Sequence, residues 1–138
     1  MSEENVAFVK GLFEASTGMD REALLAALPE MIPQFCDPEI EWIEDPQRAD
    51  GRIYHGHEGV RESWERWLEQ WDQWGFETER FVGAGDNVLV VAREHGRGAA
   101  SGATVSSRNY MVLTLRDGKL LRYREFYDEQ AALDALGS

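Results

Sequence analysis

An arginine, a histidine and a glutamate at strand-like spacing are the residues of this sequence whose types could carry acid/base chemistry. His95 follows Arg93 by two positions, and Glu125 lies in a later segment, residues 120–127, where Leu121, Tyr123, Glu125 and Tyr127 alternate with other residues. Side chains two positions apart share one face of a β-strand. An imidazole titrates near neutral pH, and a carboxylate beside it can hold its tautomer. We therefore predict His95 and Glu125 as catalytic acid/base residues, with Arg93 keeping Glu125 ionised through a paired hydrogen bond.

The same three residues have a second interpretation. Arg93 and Glu125 can form a structural ion pair across the sheet while His95 lies near the surface, because structural networks use the same residue types as catalytic sites. The sequence leaves both interpretations open.

A set of aromatic and polar residues is predicted to line a cavity beside this group. Trp42 and Glu44 share one strand face, as do Tyr123, Glu125 and Tyr127. An apolar cavity with a few converging polar groups is the usual form of a small-ligand site. The predicted ligand-binding residues are Trp42, Glu44, Tyr54, Trp64, Trp67, Asn109, Met111, Tyr123 and Tyr127.

Hydrophobic periodicity predicts the elements that position these residues. Helical spacing indicates a first helix over residues 3–16, a second that follows Asp20 and is ended by Pro29 and Pro33, a third over residues 57–73 and a short closing helix over residues 128–136. Alternation indicates strands over residues 39–44, 76–82, 88–98, 104–115 and 120–127, with a long loop over residues 45–56. The expected fold class is α+β, in which a curved antiparallel sheet and three helices enclose one pocket.

The third predicted helix carries three indoles on one stripe, Trp64, Trp67 and Trp71. Such a stripe is typical of a buried core face, and indoles that line a ligand cavity show the same spacing. Both interpretations remain open for these residues.

Composition narrows the class of protein. The 138 residues suit one domain, which we expect to span residues 1–138. A net charge of −12 would repel nucleic-acid phosphates and anionic lipids, so we expect neither nucleic acid nor a membrane as a partner. The N-terminus lacks a basic signal-peptide start, which favours a cytoplasmic location. A single cysteine and two loop histidines give no metal-ligand pattern, and we expect no metal and no cofactor.

Four segments carry a family resemblance. Residues 37–42 (DPEIEW), 54–60 (YHGHEGV), 96–102 (GRGAASG) and 116–120 (RDGKL) resemble the SnoaL-like branch of the nuclear transport factor 2-like superfamily, and so does the order of the predicted elements. The resemblance covers nearly the whole chain. It implies a cone-shaped pocket between the concave sheet and the helices, and a homodimer formed through the outer sheet face.

The resemblance also allows individual site residues to be compared. Ketosteroid isomerases of this fold use a carboxylate base, a tyrosine and a protonated aspartic acid. Trp42, Leu12 and Met111 stand at these positions, so that chemistry is not expected here.

Limonene-epoxide-hydrolase-like enzymes give a partial match. They use an Asp-Arg-Asp group with a tyrosine and an asparagine on the first strand. Trp42 and Glu44 replace the tyrosine and the asparagine, Arg93 matches the arginine, and His95 and Glu125 stand at the two aspartates.

Two functions from different classes follow. The first is a cofactor-independent isomerase, cyclase or hydrolase that acts on a hydrophobic small molecule by acid/base chemistry. The alternative is a non-catalytic ligand-binding or dimerisation module of the same fold, because one fold hosts many functions. The sequence does not decide between them, nor does it identify a substrate or a pathway.

Overall fold

The computed structural model describes residues 2–137, and over that range four helices pack with one six-stranded sheet. The elements are α1 (Ser2–Ser16), α2 (Arg21–Phe35), β1 (Cys36–Ile43), β2 (Ile53–His55), α3 (Gly56–Glu69), β3 (Trp71–Ala84), β4 (Asn87–Gly98), β5 (Thr104–Arg116), β6 (Lys119–Phe126) and α4 (Glu129–Leu136). The strand order is β2-β1-β6-β5-β4-β3, and the sheet is curved and unclosed. The α+β prediction with a curved, mainly antiparallel sheet is therefore confirmed. The pair β1 and β6 is parallel.

The sheet buries side chains on both faces where β4 and β5 cross its centre. On the concave face Val88, Val90 and Ala92 join a core with residues of α1, α2 and β1. On the opposite face Leu89 and Val91 lie in a second core that includes α4. Residues 88–92 therefore have no exposed side, which explains their uninterrupted apolar sequence.

Helix α2 begins as predicted but does not end at its prolines. The Asp20 side chain accepts a hydrogen bond from Ala23 N at 2.8 Å and caps the helix. The helix continues past Pro29 and Pro33 to Phe35, so the predicted end is wrong. Both prolines are exposed, whereas the opposite face buries apolar side chains. That burial outweighs the backbone hydrogen bonds that the prolines remove.

Replacing Pro29 with alanine is expected to raise the free energy of unfolding by about 1–3 kcal/mol, because alanine restores a helical N–H and favours the helix interior. Urea denaturation measures the change. The control is Pro46→Ala, at an exposed proline outside the described helices. Alanine there makes the unfolded chain more flexible and restores no helical hydrogen bond, so the free energy of unfolding should not rise. A Pro29→Ala protein no more stable than wild type would contradict a continuous α2.

Helix α3 is shorter than predicted. It ends at Glu69, and Trp71 begins β3, where it pairs with Gly98 of β4. The last residues of the predicted helix, 71–73, instead belong to β3 and pair with β4. The tryptophan stripe of α3 consists of Trp64 and Trp67.

The loop after β1 also contains an element that the sequence did not predict, because β2 lies inside it and pairs with β1. Across residues 2–137 no helix has both the length and the apolar character needed to cross a membrane.

Candidate functional site

A cavity of about 140 Å³ lies on the concave face of the sheet, beneath α1, α2 and α3. Its wall is mostly apolar. The charged residues on that wall are three carboxylates and one guanidinium, namely Glu44, Glu94, Glu125 and Arg48. An apolar cavity with a few convergent polar groups is typical of a small-ligand site.

Aromatic rings in mutual contact form one side of the cavity. Trp42 of β1 stacks on Tyr123 of β6, with 3.8 Å between ring centroids and 12° between planes. The register explains this stack, because Trp42 and Tyr123 are partners in the β1–β6 pair. Trp64 of α3 lies 6.4 Å from Trp42 and 5.7 Å from Trp74 of β3. Rings from four different elements therefore meet, and each is held by its neighbours.

Glu125 is a buried carboxylate that two donors hold at the cavity wall. Its Oε1 accepts hydrogen bonds from Asp45 N at 3.1 Å and from Arg48 Nη1 at 3.2 Å. Burial raises the pKa of Glu125, and the Asp45 N–H and the Arg48 charge oppose that rise. These contacts favour the ionised form of Glu125.

Arg48 joins the acidic groups of the site to one another. Its Nη1 contacts Glu125, its Nη2 lies 3.4 Å from Glu44 Oε2, and its Nε lies 3.1 Å from Asp50 Oδ1. The guanidinium also lies over the Trp67 ring, 4.7 Å from the centroid. All three nitrogens of Arg48 are therefore engaged by the protein itself.

Local hydrogen bonds explain how the loop after β1 presents Arg48. The Asp45 carboxylate accepts the N–H groups of Gln47 and Tyr127, each at 2.8 Å, which ties the loop to the end of β6. Gly51 N donates to Arg48 O at 3.0 Å. A Cβ atom at Gly51 would clash with the Asp45 carbonyl oxygen, so this turn requires glycine.

Glu44 supports the same corner of the cavity. It is 4% exposed. Its oxygens accept hydrogen bonds from Ser63 Oγ at 2.7 Å and from Arg52 N at 3.0 Å, in addition to the Arg48 contact. Glu44 thus connects β1, α3 and the loop.

Glu94 differs from the other two carboxylates because no guanidinium within residues 2–137 forms an ion pair with it. It lies on the concave face of β4, half-buried, two positions beyond Ala92. Burial, reinforced by the charge of Glu125, raises the pKa of Glu94 to about 7. The nearby Trp74 and Asn109 side chains partly oppose this rise, although Trp74 Nε1 makes no full hydrogen bond within residues 2–137. Glu94 can therefore gain or lose a proton near neutral pH.

Asn109 adds an unpaired polar atom to the same wall. It faces the cavity from β5, opposite Ala92, and is 6% exposed. Its Oδ1 accepts no hydrogen bond from the part of the chain that the structure describes. Buried polar atoms of this kind are rare in folded proteins and call for a partner.

A second pocket, of about 470 Å³, adjoins the cavity. It is lined by Trp67, Trp71, Trp74, Glu94, His95, Gly96, Val105, Ser107, Arg108 and Tyr127. The two spaces share Trp67, Trp74 and Glu94. Glu94 therefore lies at the boundary between them.

The predicted inward orientation of Arg93 and His95 is wrong. Both side chains are exposed, and the concave face of β4 presents Ala92 and Glu94 instead. Residues 88–92 are all apolar because both faces of the sheet are buried there. They show no polar–apolar alternation from which the cavity-facing residues of β4 could be predicted. The structure therefore does not bring Arg93 and His95 together with Glu125 on the cavity wall.

Most predicted ligand-binding residues lie on the cavity wall, and two do not. Those on the wall are Trp42, Glu44, Trp64, Trp67, Asn109, Met111 and Tyr123. Tyr54 is buried in β2, where its hydroxyl accepts a hydrogen bond from Arg66. Tyr127 lies in the second pocket.

Sequence reasoning missed Arg48 and Glu94. The signal for Arg48 was a long loop that contains a cation directly after an inward-facing strand. The signal for Glu94 was a carboxylate shortly after an apolar run. This pattern places Glu94 on a strand but does not show whether its side chain faces the cavity. Among residues 2–137 no group of three histidine, cysteine, aspartate or glutamate side chains is arranged to hold a metal ion.

The fold and the cavity define an α+β protein of a small-molecule-binding kind, and comparison with known proteins gives its family. The family model of the SnoaL-like domain matches residues 9–123. The chain belongs to this family. No curated protein matches the sequence.

Solved structures agree on the fold. A candidate SnoaL-like polyketide cyclase from Jannaschia sp. CCS1 is 21% identical, with a TM-score of 0.74 over 99% of this chain and 94% of that protein. TerC co-crystallised with polyporic acid is 20% identical, with a TM-score of 0.69 over 98% of this chain and 99% of that one. An NTF2-like protein from Burkholderia thailandensis E264 is 24% identical, with a TM-score of 0.72 over 97% of each chain. At these identities the likeness establishes the fold alone.

Proposed function

We propose that this protein is a cofactor-independent enzyme that moves a proton on a hydrophobic small molecule bound in the cavity, as an isomerase, a cyclase or a hydrolase. The observation that carries the proposal is the pair of carboxylates, Glu94 and Glu125, on one largely apolar wall in unequal surroundings. Neighbouring carboxyl groups in unequal environments are a recurrent arrangement for acid/base catalysis.

The surroundings suggest a role for each residue. Glu125 receives two hydrogen bonds, one of them from Arg48, and these favour its ionised form against the burial that raises its pKa. Glu94 has no such support, and its pKa of about 7 suits a group that accepts and returns a proton near neutral pH. Arg48 would act as a positioning residue because its nitrogens hold the carboxylates and do not reach into the cavity unpaired.

Proton abstraction can be measured before the natural substrate is known. We expect the protein to open 5-nitrobenzisoxazole, a flat ring that releases a coloured phenolate when a base removes its C–H proton. The rate should rise as the pH passes about 7, and Glu94→Gln should lower it by about 100-fold or more. A matched control is Glu62→Gln, at an exposed position of α3.

The same variant supplies its own folding control. Burial raises the pKa of Glu94, so ionising it costs stability, and wild type should lose stability as pH rises from its unfolded-state pKa of about 4.5 to about 7. Glutamine mimics the protonated acid. Glu94→Gln should therefore be more stable than wild type at about pH 8 and equal to it at about pH 4.

The alternative function is a non-catalytic binding module that uses the same cavity. It predicts that 5-nitrobenzisoxazole binds, for instance by quenching tryptophan fluorescence, and is not opened faster than in solution with free carboxylate. A rate that is independent of pH and unchanged in Glu94→Gln would likewise overturn the enzyme proposal.

We further propose a homodimer that forms through the outer sheet face beyond α4, where Arg93, His95 and Arg108 are exposed. Sedimentation equilibrium would give twice the chain mass, and a monomer would contradict the proposal. A single domain over residues 1–138 and a cytoplasmic location stay predictions from the sequence.

A further inference from the structure

The cavity wall carries more negative than positive charge, and within residues 2–137 one of its buried acceptors has no donor. Its charged groups are three carboxylates against the single guanidinium of Arg48, which is already bound to Glu44, Glu125 and Asp50. Glu94 has no cation bound to it, and Asn109 Oδ1 has no donor within the described chain. Buried acceptors and an excess of buried negative charge are costly without a compensating partner.

The aromatic wall also favours a positive ligand. Trp42, Trp64, Trp74 and Tyr123 line the cavity together with Trp67, whose face already carries the Arg48 guanidinium at 4.7 Å. Ring faces attract cations, and the attraction grows when water is excluded. An acidic site walled by indoles therefore matches a ligand that combines a cationic head with an apolar body.

We propose that the ligand of this cavity carries a protonated amine, whose N–H groups bind between Glu94, Glu125 and Asn109 while its apolar part contacts the indoles. This inference rests on the proposed function, because it assigns a ligand class to the same cavity. A primary ammonium group has three donors and no acceptor, which complements two carboxylates and an amide oxygen. A larger ligand extends past Glu94 into the second pocket, with which the cavity shares Trp67 and Trp74.

Two probes of nearly equal size and shape test the charge requirement. Benzylamine, protonated at about pH 8, and benzyl alcohol differ in the head group alone, and the shift of tryptophan fluorescence or NMR signals reports their binding. We expect benzylamine to bind at least about tenfold more tightly, because charge-assisted hydrogen bonds are roughly twice as strong as neutral ones.

The contribution of Glu94 is tested by substitution and by pH. Benzylamine affinity should rise about tenfold between about pH 6 and about pH 8, as Glu94 becomes ionised. Glu94→Gln should remove both this rise and most of the preference for the amine, whereas Glu62→Gln should change neither. Because an ammonium group favours ionised Glu94, calorimetry at about pH 7 in buffers of different ionisation enthalpy should show proton release on binding.

The outcomes separate this inference from the proposed function. Equal affinities for the two probes, or a preference for benzyl alcohol, would overturn the proposal that the ligand carries a protonated amine. The cavity would still be a binding site. A preference for benzylamine that survives Glu94→Gln would place the charge recognition elsewhere and also overturn the proposal. If neither probe binds at millimolar concentration, both the amine ligand and the use of this cavity as a ligand site are contradicted.

Discussion

Replacing Arg48 with methionine is expected to lower the free energy of unfolding by about 3–5 kcal/mol at about pH 8. Arg48 is 13% exposed and is the group that pairs with the buried carboxylates of Glu44 and Glu125. Methionine has a similar length but no charge, so both carboxylates would remain buried without their cation. Urea denaturation of the two proteins measures the difference.

The pH dependence of that loss identifies its cause. Carboxylates that have lost their cation take up protons more readily, so the difference between Arg48→Met and wild type should shrink as pH falls to about 5. Arg61→Met is the matched control, because Arg61 pairs with Glu58 on the exposed face of α3, and an exposed pair contributes about 0–1 kcal/mol. A loss at Arg48 no greater than at Arg61 would mean that the carboxylates do not depend on this guanidinium.

Replacing Trp42 with alanine is expected to cost about 3–5 kcal/mol, the usual range for removing a buried aromatic side chain. Trp42 is 9% exposed and stacks on Tyr123, which holds β1 against β6. Unlike the Arg48 effect, this loss should not depend on pH, because it comes from lost packing.

A phenylalanine at the same position separates packing from cavity shape. Trp42→Phe should retain part of the stack on Tyr123 and cost clearly less than alanine. The exposed Ile53 of β2 serves as a control, because it is 59% exposed and its replacement by alanine should stay within about 0.5 kcal/mol of wild type. Equal losses at Trp42 and Ile53 would show that the stack contributes little.

These expectations depend on a site that the sequence predicted in part. The faces of β1 and β6 followed from alternation, because polar and apolar residues take turns around Trp42 and Tyr123. The carboxylate of Glu125 was thus placed correctly on the concave face. β4 was placed one residue out of phase, since Leu89 and Val91 are buried by α4 and Val90 and Ala92 by the opposite core. When both faces of a strand are buried, both carry apolar residues. The residue types then do not show which side chains point to the concave face.

The partner of Glu125 could not be obtained from the sequence for a different reason. Arg48 reaches Glu125 from a loop 77 positions away along the chain, through a turn fixed by Gly51 and by the Asp45 hydrogen bonds. Local patterns report spacing within one element, and they hold no information about which loop side chain folds over which strand. The sequence analysis accordingly chose Arg93 of β4 as the partner of Glu125, because strand spacing could be read only within one element.

What the sequence by itself determined about this protein is the fold class and the apolar, aromatic nature of its cavity, because these depend on periodicity and residue type repeated over many positions. It also indicated the family, through the resemblance of four local segments and of the element order. The tertiary structure decided which polar side chain of β4 faces the cavity, since exchanging His95 for Glu94 is a shift of one residue that reverses the face of the strand. It also decided the charge of the cavity, because Glu94 of β4, Glu125 of β6 and the loop residues Glu44 and Arg48 come together only in the folded chain.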